Sequence, residues 1–372
     1  MSPTYPAVAL SSVKTYEPSL IDNHLQELWT SARMPDTRGL RVLVKPNILF
    51  DAPPERAVTT HPQVLASLLK LLLDQGARPV VGDSPAIHTS SFSGTVSGIR
   101  GVCDQFKVPW VDFLDPTVEL TSSIGSRRKR TYQVTRHAAE CDLIISVPKM
   151  KNHQLMITTG AVKNLFGVIP AFTKSPYHLR HANRREFAEF LCHLYSALPP
   201  VITVMDGILA MEGPGPNNGY PRHAGVLMAS RDCGAVDVTA AAVMGYNPRE
   251  IPGCIAMDRH GLSGAGDTSE ITYPLEHPEK LQVKDFLQVK TQRKSRIIWD
   301  MIYPRIFRSF TSRSGGPVIR TERCISCGKC SLICPNGSAR REDQVFAISL
   351  ESCIRCYCCH EVCPADAIEI TR

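Results

Sequence analysis

Eight cysteines near the C-terminus are spaced for one kind of chemistry. They read Cys324-x2-Cys327-x2-Cys330-x3-Cys334-Pro335, then Cys353-x2-Cys356-x2-Cys359-x3-Cys363-Pro364. Each run is the C-x2-C-x2-C-x3-C-P arrangement that holds [4Fe–4S] clusters. Three thiolates so close together wrap one iron–sulfur cube only if the backbone curls tightly. The fourth comes from the other run in two-cluster proteins. That rule places Cys324, Cys327, Cys330 and Cys363 on one cluster, and Cys353, Cys356, Cys359 and Cys334 on the second. A zinc ribbon would use four ligands and leave half of these thiols idle. A disulfide framework needs an oxidising compartment, and nothing in the sequence directs the chain to one. Cys358 fits neither run and reads as a small buried filler beside a cluster.

A second set of chemically capable residues lies upstream. Lys149, Lys151, His153, Lys163 and Asn164 fall within sixteen residues. In an extended segment Lys149, Lys151 and His153 point to one side. Cationic groups gathered in this way suit a phosphate or a carboxylate. The turn from Gly160 to Gly167 would let backbone amides approach the same anion. A solvated basic loop is the competing reading, but the apolar stretch Phe166 to Ile169 argues for a loop that is packed down. Lys45, Asn47, Lys149, Lys151 and Asn164 are therefore the substrate-binding candidates, and Lys163, His153, Asp206 and Glu212 the catalytic ones. Asp206 and Glu212 would also serve as metal ligands. The loop Gly213 to Gly219 is either a substrate cover or plain surface. Asp237 reads as a helix-dipole partner. No G-x-G-x-x-G or Walker pattern supports nucleotide binding.

These residues need elements to position them. Val8 to Val13, Arg41 to Lys45, Arg78 to Gly82, Val108 to Phe113, Thr131 to Val134, Asp142 to Val147, Val201 to Met205 and Gly225 to Ala229 read as strands. Helical spacing marks Ser19 to Arg33, the run after His61-Pro62 up to Gly76, Gly98 to Phe106, Phe187 to Leu198 and Ala235 to Met244. Short apolar runs alternating with helices argue for an α/β fold with an open, mostly parallel sheet and helices on both faces. Polar residues collect where the strands end: Lys45 and Asn47, Asp83 and Ser84, Lys149 to His153, Asp206. In such sheets ligands bind beyond the carboxyl ends of the strands.

The chain divides into an α/β domain over 1–260, a connecting arm over 261–316 and a small α+β ferredoxin-like domain over 317–372. Within the arm, Ile297 to Phe310 has a helical apolar face and is expected to dock the cluster domain. The 372 residues are 43% hydrophobic and 21% charged, ordinary for a globular protein. No apolar run approaches the roughly 18–20 residues of a membrane span. The N-terminus lacks a signal-peptide pattern, so the cytoplasm is the expected compartment. Scattered Cys103, Cys141, Cys192, Cys233 and Cys254 suggest core packing. The net charge of +7 is spread over short patches at Arg127 to Arg130, Arg180 to Arg185 and Arg293 to Arg296. A positive field favours an acidic electron carrier or an anionic small molecule. Dispersed patches without a binding module argue against nucleic acid.

Several segments together resemble a known family. They are Lys45-Pro46-Asn47, Gly82-Asp83-Ser84-Pro85, Pro148-Lys149-Met150-Lys151-Asn152-His153, Thr159 to Gly167, Asp206-Gly207-Ile208 and Met211-Glu212-Gly213. The resemblance is to the DUF362 family, often fused to a C-terminal two-cluster ferredoxin. It covers almost the whole chain, and it implies a fold but no established reaction. A fainter similarity, to the nickel-pincer lactate racemases, rests on Pro148-Lys149 and Thr159 to Lys163. Lys149 stands where that family has a histidine, and Ala161 interrupts its double glycine, which argues against a nickel pincer. The expectation is an iron–sulfur oxidoreductase component, with an anionic substrate at the strand ends. The alternative is an electron-transfer or interaction protein without its own catalysis, docking an acidic redox partner.

Overall fold

Apolar runs too short for helices lie side by side in the middle of one sheet. The computed structural model describes residues 5–85, 94–113, 117–124, 129–289, 315–343 and 345–371. In chain order the elements are β1 (Val8–Ser12), α1 (Pro18–Ser31), β2 (Arg41–Pro46), α2 (Pro62–Asp74), β3 (Arg78–Asp83), α3 (Ile99–Phe106), β4 (Trp110–Asp112), β5 (Thr117–Thr121), β6 (Thr131–Thr135), α4 (Arg136–Ala139) and β7 (Leu143–Val147). There follow β8 (Lys149–His153), β9 (Ile157–Thr159), α5 (Ala161–Asn164), α6 (Ala171–Arg180), α7 (Arg184–Ala197), β10 (Val201–Glu212), β11 (Tyr220–Ser230), α8 (Cys233–Val243) and α9 (Pro252–Arg259).

The main sheet runs β1-β11-β10-β7-β2-β3-β4. Strands β10, β7, β2, β3 and β4 are parallel, and β11 is antiparallel to both β10 and β1. Helices cover both faces, so successive residues of one strand enter different cores. Val42 and Val44 meet the α1–α2–α3 side, while Leu43 meets the side that α7 covers. Helix α2 buries Val64, Leu65, Leu68, Leu69 and Leu72 there, each worth about 1.5–3 kcal/mol when removed from water. Its start is fixed by His61, whose ring accepts the Gln63 N–H at 3.1 Å, and by Pro62 at the first helical position.

Three local outcomes differ from the sequence expectation. Strand β6 pairs with β5 in a separate hairpin and not in the main sheet. Its outer residues alternate between exposed and buried, a pattern for a strand with one wet face, whereas the parallel strands are covered on both. The strand expected over Val201 to Met205 continues to Glu212, where it forms a long hairpin with β11. The polar segment Lys149 to His153 is itself a buried strand. The first half of β10 pairs with β7 and the second half with β8, so β8 prolongs the sheet past its carboxyl edge.

Beyond α9, Ala265, Ile271 and Phe286 pack onto the core around α8. The helix expected at Ile297 to Phe310 and the basic run Arg293 to Arg296 lie outside the described residues. Cys103, Cys192, Cys233 and Cys254 are buried and Cys141 is half-buried. Burial pushes the Cys103 thiol up to about 11 and that of Cys192 to about 12, which leaves them as inert filling. Among the described residues no helix is long and apolar enough to cross a membrane.

The C-terminal part is a small α+β unit of β12 (Pro317–Ile319), α10 (Lys329–Ile333), β13 (Ala339–Glu342), β14 (Val345–Ile348), α11 (Cys358–Val362) and β15 (Ile368–Ile370). Strands β12 and β15 pair antiparallel, as do β13 and β14. Its two cysteine runs repeat in conformation as well as in spacing. Ser326 and Arg355 have φ of 53° and 56°, Gly328 and Tyr357 73° and 63°, Gly337 and Asp366 70° and 49°. Non-glycine residues enter that left-handed region at a cost. The same three turns in both runs are what a tight curl around a cluster demands.

Candidate functional site

Two strand ends and one tight turn define the centre of the site. Lys45 closes β2 and Asp83 closes β3; Lys45 Nζ lies 2.8 Å from Asp83 Oδ1, and both side chains are buried. The Asp83 carboxylate also accepts the backbone N–H groups of Ile48 at 2.9 Å and Ser84 at 2.7 Å. Lys45 Nζ also donates to Asn164 Oδ1 at 3.2 Å, and Asn164 Nδ2 donates to the Lys45 carbonyl at 3.0 Å. A buried ion pair holds only when its remaining hydrogen-bonding groups are satisfied, and here they are. Gly167 packs against this pair so closely that a Cβ there would overlap Asp83 Oδ1 and Lys45 Nζ.

Next to the pair lies a cavity of about 90 Å³. Its polar side is formed by Lys45, Lys163, Lys174, His178, Asp83 and Ser84. Ile333, Cys358, Glu361 and Val362, all from the C-terminal module, complete the lining with Phe166 and Ile48. Lys163 is half-buried, has no hydrogen-bond partner among the described residues, and is balanced by the charge of Glu361. Lys174 Nζ donates to the Ser84 carbonyl and stands 5.7 Å over the Phe166 ring. Behind the cavity wall Lys151 Nζ donates to the Val58 carbonyl at 2.7 Å. Burial, reinforced by neighbouring cations, brings Lys151 and Lys174 each down to about 7. Burial also lowers Lys163 and Lys45.

The tautomer of His153 follows from its surroundings. Its Nδ1 accepts the backbone N–H groups of Leu155 at 3.1 Å and Met156 at 3.2 Å. The ring proton therefore sits on Nε2, 3.0 Å from Glu361 Oε1. Burial lowers His153 and His178 to about 4, so both rings are neutral at pH 7. For Glu361, burial alone would disfavour the anion, but His153, Lys163 and His178 outweigh it and the carboxylate is held ionised. With neutral rings, Lys163 supplies the formal charge in that balance. Four buried or half-buried polar atoms around the cavity have no hydrogen-bond partner: Ser84 Oγ, His178 Nδ1, Asn47 Oδ1 and Glu361 Oε1, the last in ion-pair contact with His153.

The sequence candidates divide cleanly by position. Lys45, Asn47, Lys163 and Asn164 line the cavity, and Lys151 and His153 stand just behind it. Lys149 and Asp206 do not reach it. Lys149 Nζ meets Asp206 Oδ2 at 2.8 Å and Tyr16 Oη at 2.9 Å, while Asp206 accepts from Tyr16 Oη and from the His61 N–H. That closed knot, fully buried at Lys149 and Asp206, ties β8 and β10 to the start of α2. Glu212 is also elsewhere: it accepts the Leu287 N–H at 2.9 Å and lies 3.9 Å from Arg222. The 213–219 loop holds the module in place instead of covering the cavity. Asn217 Nδ2 donates to the Cys363 carbonyl at 3.1 Å and Asn218 Nδ2 to that of His360 at 3.5 Å. Asp237 accepts from Ala161 and Val162 N–H at 2.5 and 3.2 Å, and burial lifts it to about 7.

Glu361, Lys174 and His178 were not singled out in the sequence, although signals existed. Lys174 and His178 are four apart on α6 and so share a helix face. Glu361 occupies the position in the second run where the first run has Leu332. A charge at that place in one repeat and a leucine in the other marks the half that packs inward.

The module's residues suit iron–sulfur clusters. Backbone N–H groups of Ala339, Arg355 and Ala367 donate to the sulfurs of Cys334, Cys353 and Cys363 at 3.3–3.4 Å, bonds that stabilise thiolate ligands. Among the described residues no three His, Cys, Asp or Glu side chains are gathered for a single metal ion. The first run is open to solvent, with Cys327 exposed, whereas Cys356 and Cys359 of the second are buried.

Comparison with known proteins finds two family matches along the chain. A family model described as a domain of unknown function, DUF362, matches residues 42–242, and a 4Fe-4S dicluster domain matches residues 316–364. The thylakoid-associated protein sll1697 of Synechocystis sp. (strain ATCC 27184 / PCC 6803 / Kazusa) is 34% identical over 251 residues, 67% of this chain and 76% of that one. Among solved structures, the lactate racemase apoprotein from Thermoanaerobacterium thermosaccharolyticum aligns with a TM-score of 0.40 and 11% identity, over 63% of this chain. That alignment spans 56% of the racemase, little more than half its length.

Proposed function

The chain belongs to the DUF362 family, and from that premise we propose that it is an iron–sulfur reductase acting on a small anionic substrate. Its module (317–372) would hold two [4Fe–4S] clusters on the two crossed cysteine sets, joined by the arm over 261–316 to the α/β body over 1–260. The observation that carries this reading is a shared wall. Cys358, Glu361 and Val362 line the same cavity as the lysines, and they interleave in sequence with the proposed ligands Cys359 and Cys363. When bound, such clusters supply single electrons at potentials that thiolate ligation alone leaves open over about −700 to +450 mV.

The chain's own residues bind, orient and exclude water. Lys163 and Lys174 hold the anion, and the Lys45–Asp83 pair fixes the adjacent strand ends. His153 keeps Glu361 in place through its Nε2 proton. Phe166 and Val362 shield the cavity from solvent. Lys174, brought near 7 by burial, suits proton donation at neutral pH. The more exposed first run would hold the cluster open to a donor, and the second, with Cys356 and Cys359 buried, the cluster beside the cavity. Exposed Lys329, together with the net charge of +7, fits an acidic redox partner protein. Reduction by an acidic carrier should then slow as salt rises, and Lys329→Glu should slow it at low salt; a rate indifferent to both would remove that partner. A reducing cytoplasm suits the clusters, and the name of the Synechocystis relative makes a membrane surface the alternative.

The test is anaerobic. Reconstituted protein, chemically reduced, is mixed with small anions while cluster reoxidation is followed optically. Lys163→Met is expected to slow substrate-dependent reoxidation about 10²–10³-fold, the usual cost of one preorganised electrostatic contact, with the electron-paramagnetic-resonance signals of the clusters retained. If no anion reoxidises the protein and Lys163→Met changes only partner binding, the chain is an electron-transfer protein without catalysis.

A further inference from the structure

We propose that the anion taken by this cavity is a monocarboxylate, with its carboxylate against Lys163 and Lys174 and its remaining atoms against Ile333, Cys358 and Val362. The inference rests on the reductase reading and names the substrate class within it.

Charge is the first argument. Three lysines and two carboxylates, Asp83 and Glu361, line the cavity. With Lys45 committed to Asp83, Lys163 and Lys174 face Glu361 alone, which leaves one positive charge over. A monoanion completes that balance; a dianion oversteps it in a site where unpaired buried charge is costly. An anion beside Lys174 also favours its protonated form.

The donors left free are the second argument. Phosphoryl groups are usually held by a nest of backbone N–H groups or by an arginine fork. Here the amides of Ile48 and Ser84 are taken by Asp83, and those of Ala161 and Val162, near the cavity, by Asp237. Among the described residues no arginine lines the cavity. What remains are ammonium groups and the unpartnered Ser84 Oγ and His178 Nδ1, with Glu361 Oε1 as an unpartnered acceptor. The same corner already accommodates one carboxylate, that of Glu361 beside His153.

Polarity sets the orientation. The module contributes Ile333, Cys358 and Val362 to the lining. A ligand whose charged end meets the lysines can lay its apolar end on these side chains, which belong to or adjoin the cysteine runs.

Binding of acetate, propionate, acetamide and inorganic phosphate to the cluster-loaded protein at pH 7 and low salt, measured by calorimetry, tests this directly. Acetate and propionate are expected to bind with one-to-one stoichiometry, and acetamide, the neutral isostere, at least about tenfold more weakly. Lys174→Met should weaken acetate about tenfold or more, Ser84→Ala about threefold, and Lys280→Met, at an exposed position, not at all. Phosphate binding tighter than acetate with the same Lys174 dependence, or acetate affinity unaffected by both cavity variants, overturns the proposal. Acetate binding without reoxidation by any carboxylate sustains the substrate class and removes the reductase reading. Reoxidation by a phosphate ester alone does the reverse.

Discussion

Cys359→Ser is expected to reduce the iron content of anaerobically purified protein from about eight atoms per chain to about four or fewer, while Cys358→Ser leaves it at about eight. The two thiols are adjacent on α11 and both buried, so burial cannot separate their roles. Spacing can. Cys359 completes the C-x2-C-x2-C run and Cys358 fits neither set. Cys358 faces the cavity instead. Losing one of four thiolates opens a cube, whereas exchanging a wall residue of similar size does not. Iron and acid-labile sulfide analysis checks both variants. Zinc in place of iron, or a Cys358→Ser protein that loses half its iron while Cys359→Ser keeps it, would reverse the ligand register.

Glu361→Gln carries the second large effect. This carboxylate crosses from the module into the cationic centre of the α/β body, where it meets His153 at 3.0 Å and balances Lys163. Removing one member of a buried charge pair costs about 3–5 kcal/mol, because the other charge is left uncompensated. The expected result is a loss of unfolding free energy of that size and earlier proteolysis between body and module. Glu361→Gln combined with Lys163→Met should recover much of the loss, since the stranded charge is gone. The repeat-equivalent change Leu332→Gln serves as the control. Leu332 is 69% exposed, and surface substitutions usually stay within about 0.5 kcal/mol. Equal losses at 332 and 361 would mean that the buried pair has no special part in docking.

Buried lysines also explain why so polar a segment can form a strand. Lys149, Lys151 and His153 occupy an element that is buried throughout. Each head group has its own partner: Asp206, the Val58 carbonyl and Glu361. Burial of a cation is tolerable only with such a partner. The partners come from β10, from the segment before α2 and from the module, which are far apart in sequence.

The sequence by itself determined the parts whose physics is local. Cysteine spacing is a statement about how tightly a backbone curls, so the cluster module was legible without coordinates. Short apolar runs between helical ones specify a sheet covered on both faces, and the parallel core follows. Lys45, Asn47, Lys163 and Asn164 could be nominated because strand ends are where such folds leave polar groups. What only the tertiary structure decided is which charges are spent and which are left over. Lys149 and Lys163 are the same residue type in one short stretch, yet the first is neutralised by Asp206 and the second opens on the cavity. Glu361, Lys174 and His178 join the site from two elements that sequence order keeps apart. A charge is fixed by its residue, but its availability depends on every group that packs against it, and that is a property of the folded chain alone.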